Sequence, residues 1–246
     1  MARSLGPVQV VRAPAKLTVS LRVTGVRGDG YHLIDAEMVT VDLADTLTFS
    51  DGDGLDVVHV TGASTAAGAV PRGDDNLVRR ALSAVGRVAH VRLGKRPAVG
   101  AGLGGGSADA AAVLRWAGCR DLAVAAGLGS DVPFCLVGGR ARVTGAGEQV
   151  ELLEPVRRIF TLLTPPFGCS TAAVYRAWDD LGRPAADGGN DLEPAALMVE
   201  PRLAAWRDRL GNLTGAVPAL AGSGSTWFVE GAFRDAGQVV TTPLPP

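Results

Sequence analysis

The chain has 246 residues, 47% hydrophobic and 20% charged, with a formal net charge of −1. That balance excludes a disordered chain, and it excludes a nucleic-acid or membrane-surface binder that works through a strong positive field. No apolar run reaches the roughly 18 residues that cross a bilayer, no signal-peptide apolar stretch opens the chain, and Cys119, Cys135 and Cys169 are too few and too scattered for a disulfide framework or a paired metal site, so a reduced cytoplasmic protein is expected.

Val8–Arg12 and Leu17–Val23 read as strands rich in β-branched residues, separated by Ala13-Pro14-Ala15-Lys16. Lys16 is the lone cation there, either a solvated edge lysine or a held one. Arg27-Gly28-Asp29-Gly30 is a turn that delivers Tyr31 and His32 side by side. Ala36–Leu43 and Asp45–Ser50 read as two strands joined at a short acidic turn, and Leu55–Val60 as a further short strand. A small-residue loop is expected over Thr61–Gly73. Acidic residues then open a helix that runs from Asn76 to about Val88, and Val91–Leu93 is a brief strand.

Next comes Gly100-Ala101-Gly102-Leu103-Gly104-Gly105-Gly106-Ser107-Ala108-Asp109, which runs into an Ala/Leu-rich segment of high helix propensity to about Trp116. Glycines bring backbone N–H groups close to a ligand. A helix that starts directly afterwards leaves its first N–H groups unpaired at a positive dipole end. The combination suits a phosphate. It is not a dinucleotide fingerprint, which would follow a first strand near the start of a βαβ unit, nor a Walker loop, which needs a Lys after its last glycine. The His-Arg-Asp and Asp-Phe-Gly elements of protein kinases do not occur.

Asp121–Ala126 reads as a short helical piece. Asp131 follows at the head of an apolar, strand-like run, either as a turn or helix cap or as a carboxylate held at a site. Val143–Leu153 completes a first domain, residues 1–157. The second, residues 158–246, opens with a strand over Ile159–Thr164. It continues with an N-capped helix from Ser170 to Trp178, a polar loop over Gly182–Gly189, a helical region to Leu210, the small-residue loop Ala221–Thr226, and strands at Trp227–Val229 and Val239–Thr242. Strands and helices in both halves without strict alternation favour α+β.

Three stretches in this order resemble the GHMP kinase family: Pro14-Ala15-Lys16-Leu17, Gly102 through Ala111, and Gly222-Ser223-Gly224-Ser225-Thr226. The resemblance implies a two-domain α+β kinase with ATP and an alcohol substrate in the cleft between the halves. Gly100, Gly102, Leu103, Gly104, Gly105, Gly106, Ser107 and Ala108 would wrap the ATP phosphates, with Mg²⁺ bridging them. Ser107 is either an oxygen partner of that ion or the N-cap of the helix. Lys16 and Asp131 would meet at the substrate hydroxyl, where a carboxylate can accept its proton and an ammonium can lower the alkoxide's energy. Finer signals (Asp29-Gly30-Tyr31-His32, Ser130-Asp131-Val132-Pro133-Phe134, Gly168-x-Ser170-Thr171 and Asn190-Asp191-Leu192) resemble the branch that phosphorylates a cytidine diphosphate-linked polyol for non-mevalonate isoprenoid synthesis. Tyr31, His32 and Tyr175 would then form the cytidine pocket, with Thr18 and Thr171 on the substrate side. A homoserine- or mevalonate-type kinase and a non-catalytic nucleotide binder are the alternatives. Thr18 stands where the family usually has Asn. About fifteen residues join Trp116 to Asp131 where relatives have more, a trim that could shift Asp131 in the cleft.

Overall fold

The structure, a computed structural model, describes residues 7–59, 70–97 and 100–243. The expected loop falls outside these residues up to position 69, as do Val60 at the end of the third expected strand, residues 1–6 and residues 244–246.

Two antiparallel strands dominate the first half. β1 (Gln9–Val26) and β2 (His32–Ser50) form a long hairpin around the expected turn. Each is one strand where the sequence suggested two. The expected breaks at Pro14 and near Asp45 appear instead as a shift of register between Pro14 and Lys16. Such an irregularity bends a strand without ending it. Proline's missing N–H is tolerated because β1 lies at the sheet edge. Along its other side β2 pairs first with β5 (Arg140–Gly145) and then with β4 (His90–Lys95). β3 (Gly54–His59) joins β4 in parallel, and β6 (Gln149–Leu152) closes the far edge against β5.

Against this sheet pack α1 (Leu77–Ala84), α2 (Gly105–Trp116), α3 (Leu122–Leu128) and α4 (Val132–Val137). Every residue of α2 from Ala108 to Leu114 is buried. Its alanines supply helix propensity and are small enough for α1, α4 and β1 to pack on it from several sides. α4 corrects the strand-like reading after Asp131. Pro133 fits the first turn of a helix, where its missing N–H is not needed, and Gly138 ends the helix at φ 74°. A six-residue run is too short for periodicity to separate helix from strand.

The second half holds a four-stranded antiparallel sheet in the order β10 (Gln238–Thr241), β7 (Ile159–Leu163), β9 (Trp227–Glu230), β8 (Ala219–Leu220). Its helices are α5 (Thr171–Asp180), capped by Ser170, then α6 (Glu193–Val199) and α7 (Leu203–Thr214). The single helical region expected up to Leu210 is therefore two helices. One apolar cluster runs through both halves, from Leu47 and Phe49 to Trp178 and Trp227.

Asp191 clamps the halves together. Its carboxylate accepts from the Arg22 guanidinium at 2.7 Å, the Val23 N–H at 2.9 Å and the Ala186 N–H at 3.0 Å. Burial alone would raise this carboxyl, but the Ala186 N–H, the Arg22 guanidinium and the Val23 N–H outweigh it and hold it below its ordinary 3.8. A carboxyl held low in the fold contributes stability above its unfolded value and loses it as the pH falls through the folded one. Asp191→Asn should therefore lower stability at pH 7 by about 1–3 kcal/mol, read from urea midpoints. The gap to the wild type should shrink as the pH drops below 3.8.

Candidate active site

The glycine stretch turns through Gly100, Gly102 and Gly104 at φ 73°, 78° and 65°, a region that side chains rarely enter. Gly104 is the N-cap of α2. Ser107 is thus the third helical residue and not the cap. The N–H groups of Gly105, Gly106 and Ser107 have no acceptor among the described residues, whereas the N–H of Ala108 already donates to the Gly104 carbonyl at 2.8 Å. Ala108 is buried and belongs to the helix; the unpaired N–H groups stop at Ser107.

The loop is seated on backbone from both halves. The N–H of Lys16 donates to the Leu103 carbonyl at 3.0 Å and that of Thr226 to the Ala101 carbonyl at 3.2 Å. A Cβ on Gly102 would collide with the carbonyl oxygens of Ala221 and Gly224, and one on Gly104 with the methylene stem of Lys16.

That stem carries the Lys16 ammonium to Asp131. Nζ lies 3.2 Å from Asp131 Oδ2 and donates to Thr18 Oγ1 at 2.9 Å. Lys16 is 5% exposed, while the Asp131 side chain is 32% exposed. Asp131 occupies the N-cap position of α4 yet makes no capping bond, so its carboxylate serves the cleft and not the helix. The short connection after Trp116 leaves Asp131 in reach of Lys16. Thr18 supplies a hydroxyl acceptor at the position where the family usually has the amide of Asn.

On the opposite wall His32, the first residue of β2, meets α5. Its ring centroid is 4.5 Å from that of Tyr175 and 5.8 Å from that of Trp178, and its Nε2 is 2.9 Å from Asp179 Oδ2. Burial, then the nearby Asp131 charge, push the Tyr175 hydroxyl well above its ordinary value, so it stays neutral. Tyr31 stands apart, 57% exposed, with the Arg27 guanidinium 5.3 Å over its ring. Thr171 Oγ1 is bonded to Ser223 Oγ at 2.9 Å, joining α5 to the Ala221–Thr226 loop.

The structure adds groups that sequence reasoning missed. Under the glycine loop, Lys95 on β4 sits between Asp45 on β2 and Asp109 on α2. It contacts Asp45 Oδ2 and lies 2.9 Å from Asp109 Oδ2, while the Arg96 N–H donates to Asp45 Oδ1 at 2.6 Å. Burial, helped by Asp45 and opposed by Lys95, lifts the Asp109 carboxyl to about 8. Its Oδ1 is buried without a partner. Asp109 lay in the glycine motif, but nothing in the chain pointed to Lys95 or Asp45. Arg176 on α5 is exposed on the cleft wall, with no partner among the described residues. Burial and then Asp131 raise the Cys135 thiol to about 12.

The glycine loop, Lys16, Asp131, His32, Tyr175 and Arg176 line one cleft of about 910 Å³ whose walls come from both halves, near the upper end of the roughly 300–1,000 Å³ of most ligand pockets. No family model matches the chain. The 4-diphosphocytidyl-2-C-methyl-D-erythritol kinase of Pelotomaculum thermopropionicum is 40% identical, over 88% of this chain and 86% of its own. A crystal structure of 4-(cytidine 5'-diphospho)-2C-methyl-D-erythritol kinase superposes with a TM-score of 0.72 at 29% identity, covering 96% of this chain and 100% of the other. The L. major mevalonate kinase, solved in complex with R-mevalonate, superposes at 0.62 with 11% identity, over 96% and 91% of the two chains, a likeness of fold.

Proposed function

Because the chain belongs to the 4-diphosphocytidyl-2-C-methyl-D-erythritol kinase family, we propose that it transfers the γ-phosphoryl group of ATP to the 2-hydroxyl of that polyol, in the non-mevalonate route to isoprenoid precursors. The observation that carries this reading is the Lys16–Asp131 pair at 3.2 Å, set in the cleft between unpaired helix N–H groups and an aromatic wall.

Phosphoryl transfer asks a protein mainly for positioning and charge stabilisation. The N–H groups of Gly105, Gly106 and Ser107 take ATP phosphate oxygens at the positive end of α2. An ammonium has three donors. Lys16 spends one on Thr18 and faces Asp131 as an ion pair, which leaves donor capacity for the oxygen passing between substrate and γ-phosphate. Asp131 Oδ1 carries no hydrogen bond among the described residues, and it accepts the hydroxyl proton. Tyr31, His32 and Tyr175 hold the cytidine, Thr171 steadies the polyol side, and Arg176 faces the diphosphate.

Among the described residues no group of three or more His, Cys, Asp or Glu side chains could cage a metal. Mg²⁺ is commonly held by phosphates with one or two protein oxygens, and the Ser107 hydroxyl on the cleft wall is a donor of that kind. Mg²⁺ bound there with ATP would neutralise phosphate charge. The division into domains 1–157 and 158–246 is supported by sheet membership, since β1–β6 form one sheet and β7–β10 the other. The pathway supports a cytoplasmic location, and no helix among the described residues is long and apolar enough to cross a membrane.

The test is ADP release from Mg·ATP with three alcohols. We expect turnover with 4-diphosphocytidyl-2-C-methyl-D-erythritol and none above background with homoserine or mevalonate. Turnover with either of those, and not with the cytidylyl polyol, would move the protein to a sister activity. ATP binding with no turnover of any would make it a non-catalytic homologue.

A further inference from the structure

The imidazole of His32 is held by one face of one helix. Tyr175, Trp178 and Asp179 follow the i, i+3, i+4 spacing that puts side chains together on α5. Tyr175 packs on the ring at a tilt of 33°, Trp178 meets it edge-on at 77°, and Asp179 Oδ2 lies 2.9 Å from Nε2. Asp179 Oδ1 meanwhile accepts from Arg183 Nε at 2.9 Å, so the carboxylate faces a guanidinium on its other oxygen. An ionised carboxylate only accepts hydrogen bonds. The proton in the His32–Asp179 bond therefore sits on Nε2. In a neutral imidazole the other nitrogen is then an acceptor.

We infer that Asp179 is a specificity-determining positioning residue, fixing His32 with Nδ1 as an acceptor so that the pocket selects cytosine over uracil. The inference rests on the reading of His32 as a cytidine contact. Cytosine presents an amine donor at C4, where the uracil type of base presents a carbonyl acceptor. An Nδ1 acceptor bonds the amine and faces the carbonyl lone pairs with its own. A site built around a hydrogen bond rejects the analogue that cannot make it, because a buried polar group is left unpaired. A His–carboxylate pair that merely staples β2 to α5 would carry no such base preference.

The test uses the full chain as wild type, Asp179→Ala and Asp179→Asn, with cytidine 5'-diphosphate and uridine 5'-diphosphate titrated by calorimetry. Nitrogen-15 NMR of histidine-labelled protein reports the tautomer, with the His32 signals assigned by their loss in His32→Gln. In the wild type we expect an Nε2–H tautomer and a preference for the cytosine nucleotide of at least about tenfold. Asp179→Ala should mix the tautomers and cut the preference to within about threefold, with the urea midpoint confirming a folded protein. Asp179→Asn, whose amide oxygen still accepts from Nε2–H, should keep most of it. An undiminished preference in Asp179→Ala, or an Nδ1–H or doubly protonated His32 in the wild type, would overturn the inference and leave the cytidine pocket standing. A wild type that binds neither nucleotide would overturn the pocket and the inference together. The tautomer in the wild type decides the question even if Asp179→Ala does not fold.

Discussion

Asp131→Asn is expected to lower kcat by about 10²- to 10⁴-fold, the range for a positioned general base, and to leave the KM for ATP within a few-fold of the wild type. The amide has the carboxylate's size and keeps an oxygen for Lys16, but it cannot take the hydroxyl proton. The helix that follows loses nothing, because Asp131 makes no capping bond. Single-turnover ADP formation separates chemistry from product release. A fall in the chemical step of less than tenfold would remove Asp131 as the proton acceptor and leave Lys16 to act through charge alone.

Lys95→Met is expected to cost about 3–5 kcal/mol of stability, the usual result of removing one partner from a buried ionic group. Lys95 is 4% exposed and Asp109 3%, while Asp45 is fully buried, so water cannot replace the missing ammonium. Urea unfolding at pH 7 measures the loss. Adding Asp109→Asn to Lys95→Met removes one of the two carboxyls left behind and should recover part of it, a coupling that a double-mutant cycle resolves. A loss below about 1 kcal/mol would fit an exposed ion pair and would mean that the three groups do not act as a buried charge cluster. A Cβ on Gly105 would lie 3.2 Å from Lys95 Nζ. A raised KM for ATP in Lys95→Met would therefore report a loosened start of α2.

The local features were legible where backbone chemistry announces them. The glycine run foretold a loop lined by backbone, the alanines after it foretold a helix, and Ser170 foretold a cap. Lys16 and Asp131 were legible only through the family motifs, since a lysine in a strand and an aspartate before an apolar run have ordinary structural uses. Their meeting needs a register shift in β1 and a helix at Val132, neither visible in a local pattern. Pro14 read as a break because strand propensity takes no account of a long partner, and β2 supplies one along nearly the whole of β1. The least legible groups are those defined by distant partners. His32 and Asp179 are 147 residues apart, and Lys95 and Asp45 are 50 apart. No window along the chain contains both members of either pair.

The glycine loop is held at Leu103 by residue 16 and at Ala101 by residue 226, and Gly102 lies against the carbonyls of Ala221 and Gly224. Its supports are therefore made far apart along the chain, one before the glycines and one well after them. A nascent chain that has made β1, β2 and α2 owns every glycine of the loop, yet it still lacks the ledge on which they rest. The glycine loop is fully seated only when the Ala221–Thr226 loop is in place. A chain that stops before Ala221 would carry every glycine of the loop without the carbonyls against which Gly102 packs.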